Sequence, residues 1–233
     1  MDEFLVKTKV SLDIPENQTI IKLPDYFDER INENTFNENI KVIYLNCKYN
    51  KDINYLPLNL EELYLRKNFN SKINCLKNLL NLKVLKFSNY FNKTINFDDL
   101  PKNLELLILI NNLIIINNNR KLKNIRINNI RINNINKNIL KNLFAENLYL
   151  HITNFKNLNE NNYKNFNNIF LYSSLKKNLI NINNSDKFEK EEIIELNEFK
   201  IDNYIDYSYG KVFIMKIIPK KKLSEKEKLI NDI

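Results

Sequence analysis

One spacing pattern dominates this chain. An apolar-x-apolar pair is followed four residues on by an aromatic or apolar side chain, and four after that by an isoleucine. It reads Ile21-Leu23-Phe27-Ile31, Ile43-Leu45-Tyr49-Ile53, Leu63-Leu65-Phe69-Ile73 and Leu85-Phe87-Phe91-Ile95. The starts at 21, 43, 63, 85 and 107 lie 22, 20, 22 and 22 residues apart. A repeat of that length marks a stack of coils rather than a globular enzyme core.

The first and third positions of each unit alternate as a short strand does when one face is buried, so the second position faces the other way. A unit offers five or six inward apolar side chains, each contributing roughly 1.5–3 kcal/mol when fully buried. Ordering its backbone costs about 1–2 kcal/mol per residue. A lone unit therefore cannot fold, and neighbours must cover each other's faces, with caps at both ends.

A second half-motif precedes the strand at a fixed offset: Ile14-Pro15, Leu56-Pro57 and Leu100-Pro101 each begin seven residues before Ile21, Leu63 and Leu107. Proline fixes φ and lacks an N–H, which suits the bend that feeds a strand. Turn, strand, bend and irregular return follow in order, which is the logic of a leucine-rich repeat. The segments LPDYFDERI, LRKNFNSKI, FSNYFNKTI and LPKNLELLIL resemble the FNIP-type leucine-rich repeats (Phe-Asn-x-Pro-Ile) of social amoebae and giant DNA viruses. Phe69-Asn70 and Phe91-Asn92 match the motif, with Tyr49-Asn50 and Phe27-Asp28 as variants. Where the family has Pro, this chain has Arg30, Asp52, Lys72 and Thr94. The resemblance covers about residues 14–116, and insect poxviruses carry leucine-rich-repeat proteins of similar composition.

The expected fold is a leucine-rich-repeat solenoid: a curved parallel β-sheet, an irregular or short-helical convex side, and a C-terminal β-hairpin cap. Residues 1–20 form an N-terminal cap, 21–200 the solenoid, 201–218 the hairpin cap and 219–233 a basic tail or short helix. Later units are degenerate. Ile169-Leu171-Leu175-Leu179 restores the template and Leu148-Leu150 its strand, while Ile125-Ile127 and Ile130-Ile132 compete for one strand position, giving about eight turns that end near Ile194-Leu196. Residues Phe4 to Leu12 alternate as a strand that could cover the first open edge. At the other end, Gly210, the chain's one glycine, suits the turn of a hairpin running from Ile205-Tyr209 into Val212-Ile217.

About one residue in five is Asn, with Ile and Lys also abundant, the signature of an A/T-rich genome. Composition does not account for Asn50, Asn70 and Asn92, which follow the aromatic in successive units. Asn side chains satisfy backbone groups at bends, so stacking predicts an asparagine ladder.

The residue types that catalysis or metal binding needs are scarce or badly spaced in this chain. One glycine cannot make a phosphate cradle. Cys47, Cys75 and His151 make three metal ligands where a structural zinc needs four. Adjacent acids such as Glu61-Glu62, Asp98-Asp99 and Glu191-Glu192 diverge in an extended chain and make poor catalytic pairs. The expectation is no catalytic residue, no metal and no cofactor.

Cys47 and Cys75 occupy different repeat positions and read as free thiols of a reducing compartment. The start MDEFLVKTKV lacks a signal-peptide apolar run, and no segment has the length of a membrane span. A cytoplasmic monomer is expected, in the host cytoplasm if viral.

If the first and third positions face the core, the second positions line the concave sheet. They read Lys22, Tyr44, Tyr64, Lys86, Ile108, Arg126, Tyr149, Phe170 and Glu195. Aromatic and Arg side chains are enriched at interfaces; Tyr and Phe also favour strands without any binding role. The partner-binding candidates are Tyr44, Tyr64, Lys86, Ile108, Arg126, Tyr149 and Phe170, and the partner expected is a protein.

A net charge of +8 and the cluster Lys86, Arg120, Lys121, Lys123, Arg126 and Arg131 raise the alternative of nucleic-acid or polyanion binding. The tail KKKLSEKEKLINDI reads as either a solvated end or a basic patch, with Ser224 and Glu227 set as a capping box. Family members often carry an F-box or similar module. The resemblance implies that this chain, with about twenty residues before its first unit, acts as a bare binding surface.

Overall fold

The structure is a computed structural model that describes residues 4–5, 14–45, 48–66, 68–88, 90–109, 115–116, 121–127, 143–151, 165–173, 188–196, 199–201, 204–206 and 212–219. The described strands are β1 (Phe4–Leu5), β2 (Ile20–Leu23), β3 (Val42–Leu45), β4 (Glu62–Leu65), β5 (Val84–Lys86), β6 (Ile95–Asn96), β7 (Leu106–Leu109) and β8 (Ile115–Ile116). They continue with β9 (Leu122–Ile127), β10 (Ala145–His151), β11 (Phe166–Ser173), β12 (Phe188–Leu196), β13 (Phe199–Ile201), β14 (Tyr204–Asp206) and β15 (Val212–Pro219).

Each coil contributes one short strand to a single sheet. The order is β1-β2-β3-β4-β5-β7-β9-β10-β11-β15-β12, parallel from β1 to β11. Residues Ile21, Ile43, Leu63, Leu85, Leu107, Ile125, Leu148 and Ile169 lie abreast, and all are fully buried. The rest of the repeat template is also core: Leu23, Leu45, Leu65 and Phe87, then Phe27, Tyr49, Phe69 and Phe91, then Ile31, Ile53, Ile73 and Ile95. About five coils are described in this way, and together they form a solenoid with almost no helix. The Ile125–Ile127 strand takes the position next to Leu107, which resolves the competition with Ile130–Ile132.

Local chemistry explains why the coils repeat so evenly. Five units share one β-turn just ahead of the strand, closed by Gln18 N–H to Pro15 O, Ile40 to Asn37, Leu60 to Pro57, Leu82 to Leu79 and Leu104 to Pro101, at 3.0–3.3 Å. Proline is thus replaceable by Asn37 or Leu79, because the first residue of the turn supplies only the accepting carbonyl. Immediately before each strand, one carbonyl accepts two N–H groups from the next coil. Thr19 O takes Lys41 and Val42, Lys41 O takes Glu61 and Glu62, Glu61 O takes Lys83 and Val84, and Lys83 O takes Glu105 and Leu106.

Tyr49 stands where the other coils have Phe. Its hydroxyl donates to Asp52 O at 2.7 Å and accepts from Ile31 N–H at 3.3 Å, so the polar atom is satisfied inside the core. Among the described residues the returns hold two short 3₁₀ helices, Asn74–Asn78 and Phe97–Asp99, and the small parallel pair β6 and β8. The expected asparagine ladder is present. Asn70 N–H donates to Asn50 Oδ1 (2.7 Å), Asn92 N–H to Asn70 Oδ1 (3.1 Å), and Asn70 Nδ2 to Asn92 Oδ1 (2.8 Å).

The ends differ from the expectation in detail. β1 pairs in parallel with Ile21 and Lys22, so a strand does lie on the first edge. At the other end the parallel register stops at β11. β15 runs antiparallel between β11 and β12, with its Ile217 opposite Ile169 and fully buried. The Ile205–Tyr209 segment was expected to pair with the strand after Gly210; instead Tyr204–Asp206 pairs with Phe199–Ile201. The sequence explains the swap: VFIMKIIP is apolar on both faces and suits an inner position, whereas FEKEEIIEL carries charges that suit an edge. Gly210 and the 220–233 tail lie outside the described residues.

Candidate functional site

Side chains alternate along each strand, so the residues flanking the core pair emerge on the opposite face of the sheet. There the strand register sets Lys22, Tyr44, Tyr64, Lys86, Ile108, Arg126, Tyr149 and Phe170 side by side on successive strands. The candidate residues are therefore brought into one row, although the Arg126 side chain lies outside those described. Glu195 does not join it. β15 intervenes, Lys216 takes the place next to Phe170, and Glu195 sits opposite Phe213.

The row is more enclosed than open aromatic rings would be. Tyr64 and Tyr149 are 8% exposed, Lys86 7% and Ile108 3%, while Lys22, Tyr44 and Phe170 are half-buried. The cause is packing between coils. Tyr44 stacks on Tyr64 with centroids 4.5 Å apart and planes 11° apart, and Tyr149 stacks on Phe170 at 4.7 Å and 10°. Val84, Leu106 and Tyr172 join Tyr64, Ile108 and Tyr149 in a second apolar cluster, with Val42, Tyr44 and Phe170 against it.

Two groups on this face, an asparagine ladder and Arg66, escaped the sequence reading, and Glu62 was read there only as one of a diverging acidic pair. Asn124, Asn147 and Asn168 form a second ladder, Asn147 Nδ2 donating to Asn124 Oδ1 at 2.9 Å and Asn168 Nδ2 to Asn147 Oδ1 at 2.8 Å. Their signal was a constant place one residue before the core position. Glu62 accepts the Tyr64 hydroxyl at 2.6 Å. Burial pushes its carboxyl up from the ordinary value, against the hydrogen bond from Tyr64, and the neighbouring Glu61 charge adds to the rise. Arg66, two residues past Tyr64, places its guanidinium 5.2 Å from the Tyr44 ring centroid, and its Nε is buried with no hydrogen-bond partner. His151 and Tyr172 meet edge to face at 5.3 Å farther along.

The turn ridge beside the sheet is a different surface. Lys41, Glu61 and Lys83 alternate in sign along it, with Lys41–Glu61 at 2.9 Å and Lys83–Glu61 at 4.0 Å. A polar groove of about 480 Å³ runs there, lined by Asn17, Asn39, Asn59 and Asn81 among others. Three of those carboxamides are committed to the stack: Asn39, Asn59 and Asn81, like Asn103 beyond them, each donate to a carbonyl one coil back, at 2.9–3.2 Å.

Among the described residues, no group of three or more His, Cys, Asp or Glu could hold a metal ion, and no helix is long and apolar enough to cross a membrane. Cys75 is a half-buried free thiol, raised in pKa chiefly by burial; Cys47 lies outside the described residues. Compared with protein-family models, curated proteins and solved structures, the chain matches none.

Proposed function

We propose that this chain is a non-enzymatic leucine-rich-repeat solenoid of FNIP-like type that binds another protein across the second face of its sheet. The supporting observation is the row Lys22, Tyr44, Tyr64, Lys86, Ile108, Tyr149, Phe170 and Lys216, mostly aromatic or cationic, on strands held in register by the stacked coils. Large aromatic groups fixed by stacking bring contact area with little rotamer entropy left to lose. The fold-level likeness to FNIP repeats rests on the template and on the Asn50-Asn70-Asn92 ladder. The resemblance to viral repeat proteins adds a further reading: a monomer in the host cytoplasm that occupies a host protein.

Binding of nucleic acid is the second reading, favoured by exposed Lys121 and Lys123 and the net charge of +8. Single-strand binders stack bases on open ring faces. Here the Tyr44–Tyr64 and Tyr149–Phe170 pairs use those faces on each other, leaving edges to the outside. The geometry favours protein.

Photo-crosslinking tests the face directly. A benzophenone amino acid at Tyr44 or Phe170 is expected to capture one recurring protein from cell extract, with none from the same group at Tyr90, which is 66% exposed elsewhere. Equal capture from Tyr90, or RNA recovered with a steep salt dependence, contradicts the proposal.

A further inference from the structure

The turns ahead of the strands give the solenoid a second surface, apart from the sheet face. Each of the five described turns places one side chain at its tip, next after the residue whose carbonyl closes the turn. On successive coils these are Glu16, Glu38, Leu58, Leu80 and Lys102, and all five are exposed. The row is held in register from beneath: the carboxamides of Asn39, Asn59, Asn81 and Asn103 donate to the carbonyls of Glu16, Glu38, Leu58 and Leu80 in turn. A turn tip in water has no need of leucine, yet Leu58 is 61% exposed and Leu80 57%. Single exposed leucines are ordinary, whereas two on adjacent coils, set about 5 Å apart by strand spacing, make a patch. Tyr55, three residues before Leu58, is 53% exposed as well.

We infer that this row is the contact of a two-fold dimer, in which Leu58 of one copy packs on Leu80 of the other and Glu38 meets Lys102. Charge complementarity selects a second copy as the occupant. Along the coils the row runs acid, acid, leucine, leucine, lysine. Turned end for end about a point between the leucines, it lays leucine on leucine and Glu38 on Lys102. Those two charges stand one and a half coils either side of that point, about 7 Å, so both ion pairs form in the same arrangement. A copy shifted without rotation would set Glu38 against leucine or against another glutamate, which disfavours a head-to-tail assembly. The Glu38 carboxylate accepts Leu58 N–H at 2.9 Å, which fixes it at the tip, and its other oxygen has acceptor capacity for a lysine. The patch is small beside the roughly 800 Å² per partner of a standard interface, so the association is reversible and the expected monomer is its dilute form. The inference does not depend on the protein-binding reading of the sheet face, which lies elsewhere on the coils.

Sedimentation equilibrium of the full chain tests it, from about 1 µM to 1 mM, the span of micromolar to millimolar affinities. Monomer is expected to give way to dimer across that range. Leu58→Ser combined with Leu80→Ser should leave monomer throughout. Glu38→Lys or Lys102→Glu alone places like charges at both ends of the contact and should weaken association by ~10-fold or more. The double exchange Glu38→Lys/Lys102→Glu should restore it. Circular dichroism checks that each variant keeps the wild-type fold. A wild-type chain that stays monomeric over the whole range overturns the inference, as does dimerisation unchanged by the leucine substitutions, or a double exchange that fails to restore it. A monomer that instead binds phosphatidylcholine vesicles through Leu58 and Leu80 assigns the patch to lipid and overturns it too.

Discussion

Tyr64 is held by Tyr44 through a near-parallel ring stack at 4.5 Å, while its hydroxyl reaches back along its own strand to Glu62 at 2.6 Å. Two coils and one carboxyl are thereby coupled on the face that also bears Arg66 and Lys86. Neighbouring coils supply both halves of the arrangement, so it exists only in the stack.

Glu62 gives this coupling a pH signature. Its carboxyl is raised above its ordinary value of 4.5 by burial first, so the folded state holds the proton more tightly than the unfolded chain. The contribution is complete below about 4.5 and is lost as pH rises through the raised value. Thermal melts should therefore show Glu62→Gln gaining on wild type as pH rises across that window. A difference between the two that stays constant with pH, or shrinks, contradicts the assignment.

The Asn50-Asn70-Asn92 ladder yields a second expectation. Asn70 both accepts from Asn92 N–H and donates to Asn92 Oδ1. Asn70→Ala should lower stability by about 1–2 kcal/mol in urea titrations. Asn70→Asp keeps the acceptor, sets two oxygens against each other and should also destabilise. Neutral outcomes for both would show that the ladder decorates the stack without supporting it.

Tyr49→Phe isolates a single buried hydroxyl. The ring remains between the coils, stacked on Phe27 at 5.9 Å. The Asp52 carbonyl and Ile31 N–H lose their partner. A loss of about 1–3 kcal/mol follows for leaving buried groups unpaired. Unchanged unfolding would mean that both groups find other partners.

Much of the architecture was legible because it is periodic. Leu63, Leu85 and Leu107 recur at a near-constant step, and every position of the four units from Ile21 to Ile95 proved to be core. What escaped was either long-range or hidden by composition. The insertion of Val212–Pro219 between β11 and β12 is an antiparallel return with no period to betray it. The enclosure of Tyr64 and Tyr149 comes from rings twenty or so residues away, which strand alternation does not reveal. Asn39, Asn59, Asn81 and Asn103 share one offset and one role, yet in a chain so rich in Asn their regularity blends into the background. Arg66 follows the strand by one residue, outside the repeat template, and its Nε is buried only by the fold.

Register between coils is the claim on which both the binding face and the turn-tip row depend, and disulfide trapping measures it. In a background with Cys47 and Cys75 replaced by Ser, cysteines at Lys41 and Glu61 sit on adjacent coils where the native side chains meet at 2.9 Å. Cysteines at Lys41 and Lys83 sit two coils apart, about 10 Å at ordinary strand spacing, beyond disulfide reach. Rapid oxidation of the Lys41→Cys/Glu61→Cys pair, with the Lys41→Cys/Lys83→Cys pair remaining reduced, is the result expected. Equal trapping of both pairs, or of the distant pair alone, would contradict stacked coils in this register.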